Sequence, residues 1–339
     1  MDVALSATGA TDQRTAAAHA EAAGYDGLWV GEVAHDPFLQ LTLAATVTQR
    51  LELGTSIALA FARSPMTLAT TANDLQQISG GRLRLGLGTQ VKAHITRRFS
   101  MPWSRPADRM REFVLALRAI WGCWAAAPEG GAELDFAGEF YQFSLMPPQF
   151  VPPPNKYGPP PVLLAAVGPA LTQVAGEVAD GLVCHGFTTA RYLHEVTLPA
   201  LRRGHAGSIE GLEVIGHPMI VTGRTEEELT VAIDTVRAQI AFYASTPAYR
   251  GVLERHGWGG LGEELHELSR QRRWAELPGL IGDDVLAEFA VVGSPPAVAA
   301  ELARRYTGLF TRCVLHTPYA AAPEVLDEIA TLLRARSAS

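Results

Sequence analysis

Cysteine is scarce, with only Cys123, Cys184 and Cys313 in 339 residues. An odd and widely spaced set excludes a disulfide frame and does not fit a zinc site; it fits reduced thiols packed in a core, and so a cytoplasmic setting. Excess basic charge is also missing. The 28 Lys and Arg stand against 35 Asp and Glu, a formal charge of −7, which excludes the basic face that nucleic-acid binding needs. No apolar run reaches the roughly 18 residues of a membrane span. The opening MDVALSATGATD has neither the basic segment nor the long apolar stretch of a secretory leader. No GxGxxG follows an early strand, which weakens the case for a doubly wound open sheet, and there is no repeat of short period. His185 and His316 have no carboxylate or cysteine beside them at ligand spacing, so no metal is expected.

What is present is apolar patterning ample for one barrel-sized core. The stretch from Leu51 to Gln90 organises the rest. Leu53 to Ala60 is an apolar run that suits a strand buried on both faces. Ser64 and Pro65 stand where an N-cap and first helical residue belong, and the helix runs to Ile78. Ser79-Gly80-Gly81 ends it, and Leu83, Leu85 and Leu87 alternate in the next strand. Strand, helix and strand with short links make one βαβ unit. Further strands are expected at Val3–Ser6, Leu28–Val30, Pro161–Ala165, Gly181–Cys184, Leu212–Val221 and Arg312–His316. Helices alternate with them. Val91 to Pro106 reads as a long loop. Eight such strands predict a parallel (β/α)8 barrel over residues 1–339, with insertions at about 125–160 and 245–284. Phe136, Tyr141 and Phe143 predict a hairpin in the first insertion.

Barrels of this kind carry their sites where strands end at the carboxyl side. That rule selects Ser6 and Thr8, then Glu32, His35 and Asp36, then Ala60 and Phe61, Thr89 and Gln90, Val167 and Gly168, His185 and Gly186, Thr222 and His316. A ring of small and apolar residues with few titratable ones suits a flat aromatic cofactor better than a phosphate-rich sugar. Lys92, His94 and Arg98 follow Thr89-Gln90 and offer cationic groups for a phosphate or acidic tail. Gly168-Pro169 opens a helix, whose free N–H groups attract anions.

Several segments carry a family resemblance: LELGTSIALAFARSP at 51–65, DLQQISGGRLRLGLGTQ at 74–90, HDPF at 35–38, VKAHITRRFSMPW at 91–103, AAVGPA at 165–170 and AGEVADGL at 175–182. Their order and content resemble the luciferase-like monooxygenase superfamily, and more closely its branch that uses the deazaflavin coenzyme F420. FYASTPAYRGVLERHGW at 242–258 is similar to one F420-linked subgroup. The resemblance implies the barrel, a homodimer, and a hydride exchanged between F420 and a small-molecule substrate. It implies a non-prolyl cis peptide between Ser56 and Ile57, behind the cofactor ring. Thr89, Gln90, His94, Arg98, Ala166, Val167 and Gly168 would join Ser56 and Ile57 around the cofactor. Glu32 and His35 would be the catalytic pair, although relatives place the acid and the histidine adjacent. Relatives also carry a second glycine where Gln90 stands. FMN-using relatives offer hydroxyl or carboxylate side chains at 165–168; this chain offers small apolar ones, which favours F420. An FMN-dependent monooxygenase, and a cofactor-binding barrel without turnover, are the alternatives.

Overall fold

Ser64 does cap a helix: its Oγ accepts from the Thr67 amide at 3.1 Å, with Pro65 in the first turn. Gly80 and Gly81 follow the helix with φ of +70° and +88°, a backbone that costs glycine little. The computed structural model describes residues 1–8, 12–126 and 133–337, and the same logic recurs through them.

Among the described residues the parallel strands close into a barrel. β1 (Asp2–Ser6) pairs with β2 (Gly27–Val30), and β2 with β3 (Glu52–Thr55). After a break, β4 (Ala58–Leu59) continues β3, and both pair with β5 (Leu83–Gly88). The short antiparallel hairpin β6 (Phe136–Ala137) and β7 (Gln142–Phe143) lies outside, as the aromatic alternation predicts. β5 then pairs with β8 (Val162–Ala166), and β8 with β9 (Gly181–Cys184). β9 pairs with β10 (Glu213–Gly216). A side ribbon joins β11 (Met219–Val221) to β12 (Ala290–Val292). Finally β10 pairs with β13 (Arg312–Leu315), which pairs back with β1. The fold is the (β/α)8 barrel expected from the sequence.

The helices in chain order are α1 (Gln13–Ala22), α2 (Pro37–Ala45), α3 (Pro65–Ile78), α4 (Lys92–Arg97), α5 (Pro106–Ala126), α6 (Pro169–Val178), α7 (Ala190–Tyr192), α8 (Leu198–Gly204), α9 (Glu226–Ala244), α10 (Arg250–Glu254), α11 (Gly259–Arg270), α12 (Asp283–Phe289), α13 (Pro295–Tyr306) and α14 (Pro323–Ser337). A π-helical turn, Leu193–Thr197, joins α7 to α8. Pro199 just beyond it has no N–H for the carbonyl four residues back, which accounts for the widened turn.

The barrel interior is a packed cluster of Ala4, Trp29, Leu163, Val183, Ile215 and Val314. Trp29 is fully buried, and a Cβ on Gly54 would overlap its indole. Below it an ionic network spans the N-terminal strand ends. Arg84 contacts Glu52 at 2.6 Å and Glu213 at 3.0 Å, while Arg312 contacts Asp2 at 3.1 Å and also Glu52. With the bottom closed by charge and the middle by apolar packing, open space is left at the mouth.

Three expectations differ from the structure, and the second insertion gains detail. The strand expected at Leu212–Val221 breaks at His217-Pro218, because proline cannot donate to a ladder; the second half turns out to pair with β12. The strand expected at Leu53–Ala60 breaks at Ser56-Ile57. The loop after Gln90 contains α4. Residues 245–284 are mostly helical, and α10 and α11 pack with α9 and α12 around a second core that includes Phe187, Leu253, Leu265 and Phe289. The first insertion is described only outside 127–132.

Candidate active site

The Ser56–Ile57 peptide between β3 and β4 is cis, where the resemblance placed it. Ile57 turns inward against the barrel cluster, next to Ala165, and its Cδ1 occupies the space a Cβ on Gly88 would need. Above it lies a cavity of about 180 Å³. Whole ligand sites commonly measure roughly 300–1,000 Å³, so this one takes a ring or a small substrate rather than a complete cofactor with its tail. Its floor is Ile57, Ala165 and Val183; its walls include Ser56, His185, His217, His316, Gln239 and Tyr243.

Each polar wall residue is held by a strand end or by a helix folded over it. Ser56 Oγ lies 2.8 Å from His217 Nε2. His217 also bonds the main chain of Cys184, whose free group toward a ring N–H is its carbonyl. One imidazole nitrogen therefore donates to Cys184, and Nε2 accepts from the Ser56 hydroxyl. At His185, Nδ1 accepts from the Phe187 amide at 2.9 Å. Its proton is thus on Nε2, which faces the Tyr249 hydroxyl at 3.4 Å. The ring is packed between Tyr243 and Tyr249, each 4.7 Å away between centroids. Gln239 donates to the Tyr243 hydroxyl at 3.2 Å.

Burial keeps these histidines neutral. Burial, followed by the nearby His316, pushes His217 down to about 3. Burial pushes His185 down to about 4 and lowers His316 as well. The Cys184 thiol goes the other way, up to about 12, and stays protonated. Each shift has the sign expected when water is withdrawn from the charged form. Among the described residues, no group of three or more His, Cys, Asp or Glu is arranged to hold a metal ion.

The residues singled out in the sequence fall into three places. Ser56 and Ile57 line the cavity. Ala166 and Val167 line a narrow recess beside it with His185 and Tyr192. Gly168 is the N-cap of α6, with no side-chain cap and open space where a Cβ would project. Pro169 has no N–H, so the first-turn amides free for an anion are those beyond it, at Ala170 and Leu171.

Glu32 is engaged elsewhere. Its Oε2 accepts from the Leu59 amide at 2.8 Å and from Arg63 at 2.6 Å. Arg63 also reaches Asp36 at 2.8 Å, and Asp36 caps α2 through the Phe38 amide. This cluster ties β4 to the end of β2. His35 is exposed on the same connection, off the cavity lining.

Thr89 and Gln90 follow β5, and Gln90 takes the left-handed backbone (φ +57°) that glycine adopts readily. His94 is exposed on α4. Arg98 donates to the Val33 carbonyl at 2.9 Å and covers the Phe99 ring, bridging two rim loops.

Sequence reasoning missed His217, Gln239, Tyr243 and Tyr249. The first had a signal: a histidine just before a proline inside an apparent strand marks a break, and this one falls at the mouth. The others reach the site only because α9 and the following insertion fold over it.

A site at the C-terminal strand ends, above a packed interior, defines this chain as a mouth-facing (β/α)8-barrel protein. The chain belongs to the luciferase-like monooxygenase family, whose pattern it matches over residues 2–312. It is 52% identical to an uncharacterized protein of Mycobacterium bovis, over 92% of this chain and 91% of that one. It is 26% identical to the F420-dependent glucose-6-phosphate dehydrogenase of Intrasporangium calvum, over 91% and 89% of the two chains. Among solved structures it resembles the coenzyme F420 dependent tetrahydromethanopterin reductase of Methanopyrus kandleri, with a TM-score of 0.79, 19% identity and 99% of each chain covered.

Proposed function

We propose that this protein is an F420-dependent oxidoreductase acting on a small organic substrate. The observation that carries the reading is the apolar slot above Ile57, Ala165 and Val183, walled by neutral hydrogen-bonding groups. A flat, weakly charged ring fits such a lining. Relatedness to a dehydrogenase named for F420 supports the same choice. A bound deazaflavin would supply a two-electron carrier able to exchange hydride with a substrate carbon.

The chain's own groups do the rest. Ile57 and Ser56 would back the ring. The amides beyond Gly168 would hold a phosphate, with Ala166 and Val167 beside them. Thr89, Gln90, His94 and Arg98 would follow the acidic tail along the rim. Glu32, bound to Arg63 and to the Leu59 amide, acts as a positioning residue for β4. His35, exposed at the rim, would exchange protons with solvent. Ser56 and His217 form the nearer proton path, since a hydroxyl and a neutral imidazole nitrogen are in contact at 2.8 Å. Tyr243 and Gln239, carried by α9, would exclude water from the reacting atoms.

Among the described residues no helix is long and apolar enough to cross a membrane. Buried free cysteines support a cytoplasmic location. Leu39, Leu43 and Val47 are exposed at spacing of four, a stripe along and just beyond α2 that supports a homodimer.

The decisive experiment titrates the purified protein with F420 and with FMN in parallel, following F420 and flavin fluorescence. Saturable binding of F420, tighter than that of FMN, is expected. Tight FMN binding with oxygen consumption would replace this reading with a flavin monooxygenase.

A further inference from the structure

The cavity whose apolar floor would back the ring has, among the described residues, no charged side chain on the polar wall that would face a substrate stacked there. Among the described residues its lining comprises Ser56, the three histidines, Gln239 and Tyr243 with apolar and small groups, and contains no Asp, Glu, Lys or Arg. The histidines do not substitute for a cation. His185 has one nitrogen accepting a main-chain N–H and cannot take a proton there without losing that bond. His217 is committed at Nε2 to Ser56 and through its ring N–H to Cys184. His316 lies close enough to oppose a charge on His217.

The cationic groups that are near belong to other structures. Arg63 is engaged by Glu32 and Asp36, and Arg98 is exposed at the rim, where it donates to the Val33 carbonyl; neither lines the cavity. A phosphate or carboxylate entering the cavity would lose its water without meeting a counter-ion, which is strongly unfavourable. A hydroxyl or carbonyl would meet donors and acceptors already in place. Tyr243 accepts from Gln239, which leaves its own proton to donate. Gln239 keeps a carbonyl oxygen that accepts.

We infer that the site takes an uncharged hydroxyl- or carbonyl-bearing substrate and rejects phosphorylated or carboxylated ones. In this it departs from its relative named for glucose 6-phosphate. As a statement about substrate it rests on the F420 reading; as a statement about binding it does not.

The test uses matched pairs: glucose against glucose 6-phosphate, and cyclohexanol against cyclohexanecarboxylate. Binding is followed by intrinsic fluorescence and thermal shift in the protein alone, and by the F420 absorption band once F420 is bound. The neutral member of at least one pair is expected to bind about 100-fold tighter than its anion. Gln239→Arg is expected to narrow or reverse that ratio by about tenfold, with an unchanged circular dichroism spectrum. Equal or tighter binding of the anions by the wild type overturns the inference, as does failure of every neutral probe to bind with or without F420. If F420 does not bind but the neutral preference persists, the proposed function fails and the charge selectivity stands.

Discussion

Lowering the pH from 7.5 to 5.0 should weaken this protein before its carboxylates begin to protonate. The cause is the pair of buried imidazoles at the mouth, held near 4 at His185 and near 3 at His217. An unfolded histidine titrates near 6.5. Below that value the unfolded chain binds protons that the folded one refuses. Stability is therefore full above about pH 7 and declines as the pH falls toward the folded values. Each pH unit below 6.5 costs about 1.4 kcal/mol per histidine. At pH 5.0 that is about 2 kcal/mol for each, or about 4 kcal/mol for the pair, a sizeable part of the roughly 5–15 kcal/mol available to a folded domain. Burial lowers His316 and His256 too, which steepens the decline. Glu301 lies outside this window, since its bond to Arg304 and then to Arg305 holds it down at about 2. The assay is reversible urea unfolding at pH 7.5, 6.5 and 5.0, for the wild type and His217→Gln. The amide retains an acceptor for Ser56 without the titrating group. The variant should lose about 2 kcal/mol less than the wild type between the two pH extremes. A urea midpoint that does not move with pH, or an identical decline in both proteins, would refute the argument.

Three further outcomes are expected. Gly54→Ala should destabilise by about 1–3 kcal/mol in urea, because its Cβ overlaps the Trp29 indole inside a closed barrel. Arg63→Ala leaves Glu32 and Asp36 without their shared cation; a loss of about 2 kcal/mol is expected, and no loss would show that the cluster does not hold β4 to β2. Leu43→Asp places a charge in the exposed stripe on α2; light scattering should show a dimer becoming a monomer with an unchanged urea midpoint, and a wild-type monomer would sink the dimer proposal.

The barrel was legible because each of its devices is local. Ser64 and Pro65 begin α3, and Gly80 and Gly81 end it, by backbone chemistry that no distant contact needs to supply. The apolar runs of β5, β8 and β9 record burial on both faces, which only a parallel sheet covered by helices provides. The two misread strands share one source. Apolar pattern continues through β3 into β4 and through β10 into β11, so burial hides both breaks, and burial is what the pattern records. Proline at 218 was the one local sign of the second break.

The site was legible to the extent that strand ends dictate it. Ser56, Ile57, His185 and His316 reach the cavity because barrel geometry sends strand termini there, whatever the helices do. Side chains beyond the termini had to be judged by type, and type alone is ambiguous. Glu32, three residues before His35 at a strand end, reads by type as catalytic chemistry; that it also holds Arg63 and a main-chain amide only the fold around β4 could reveal. Arg98 reads by type as an anion ligand, and only the fold adds that it also bridges two rim loops. The reverse holds for Gln239 and Tyr243. On α9 they occupy ordinary helical positions, and nothing local marks them; they become site residues because the insertion after α9 builds its own core against Phe187 and Met219, on the wall beside β9 and β10. On the proposed function, substrate selection would reside in the tertiary packing of α9 and its insertion. A change in that packing would then alter which molecules bind while leaving intact the strand ends proposed to face the cofactor.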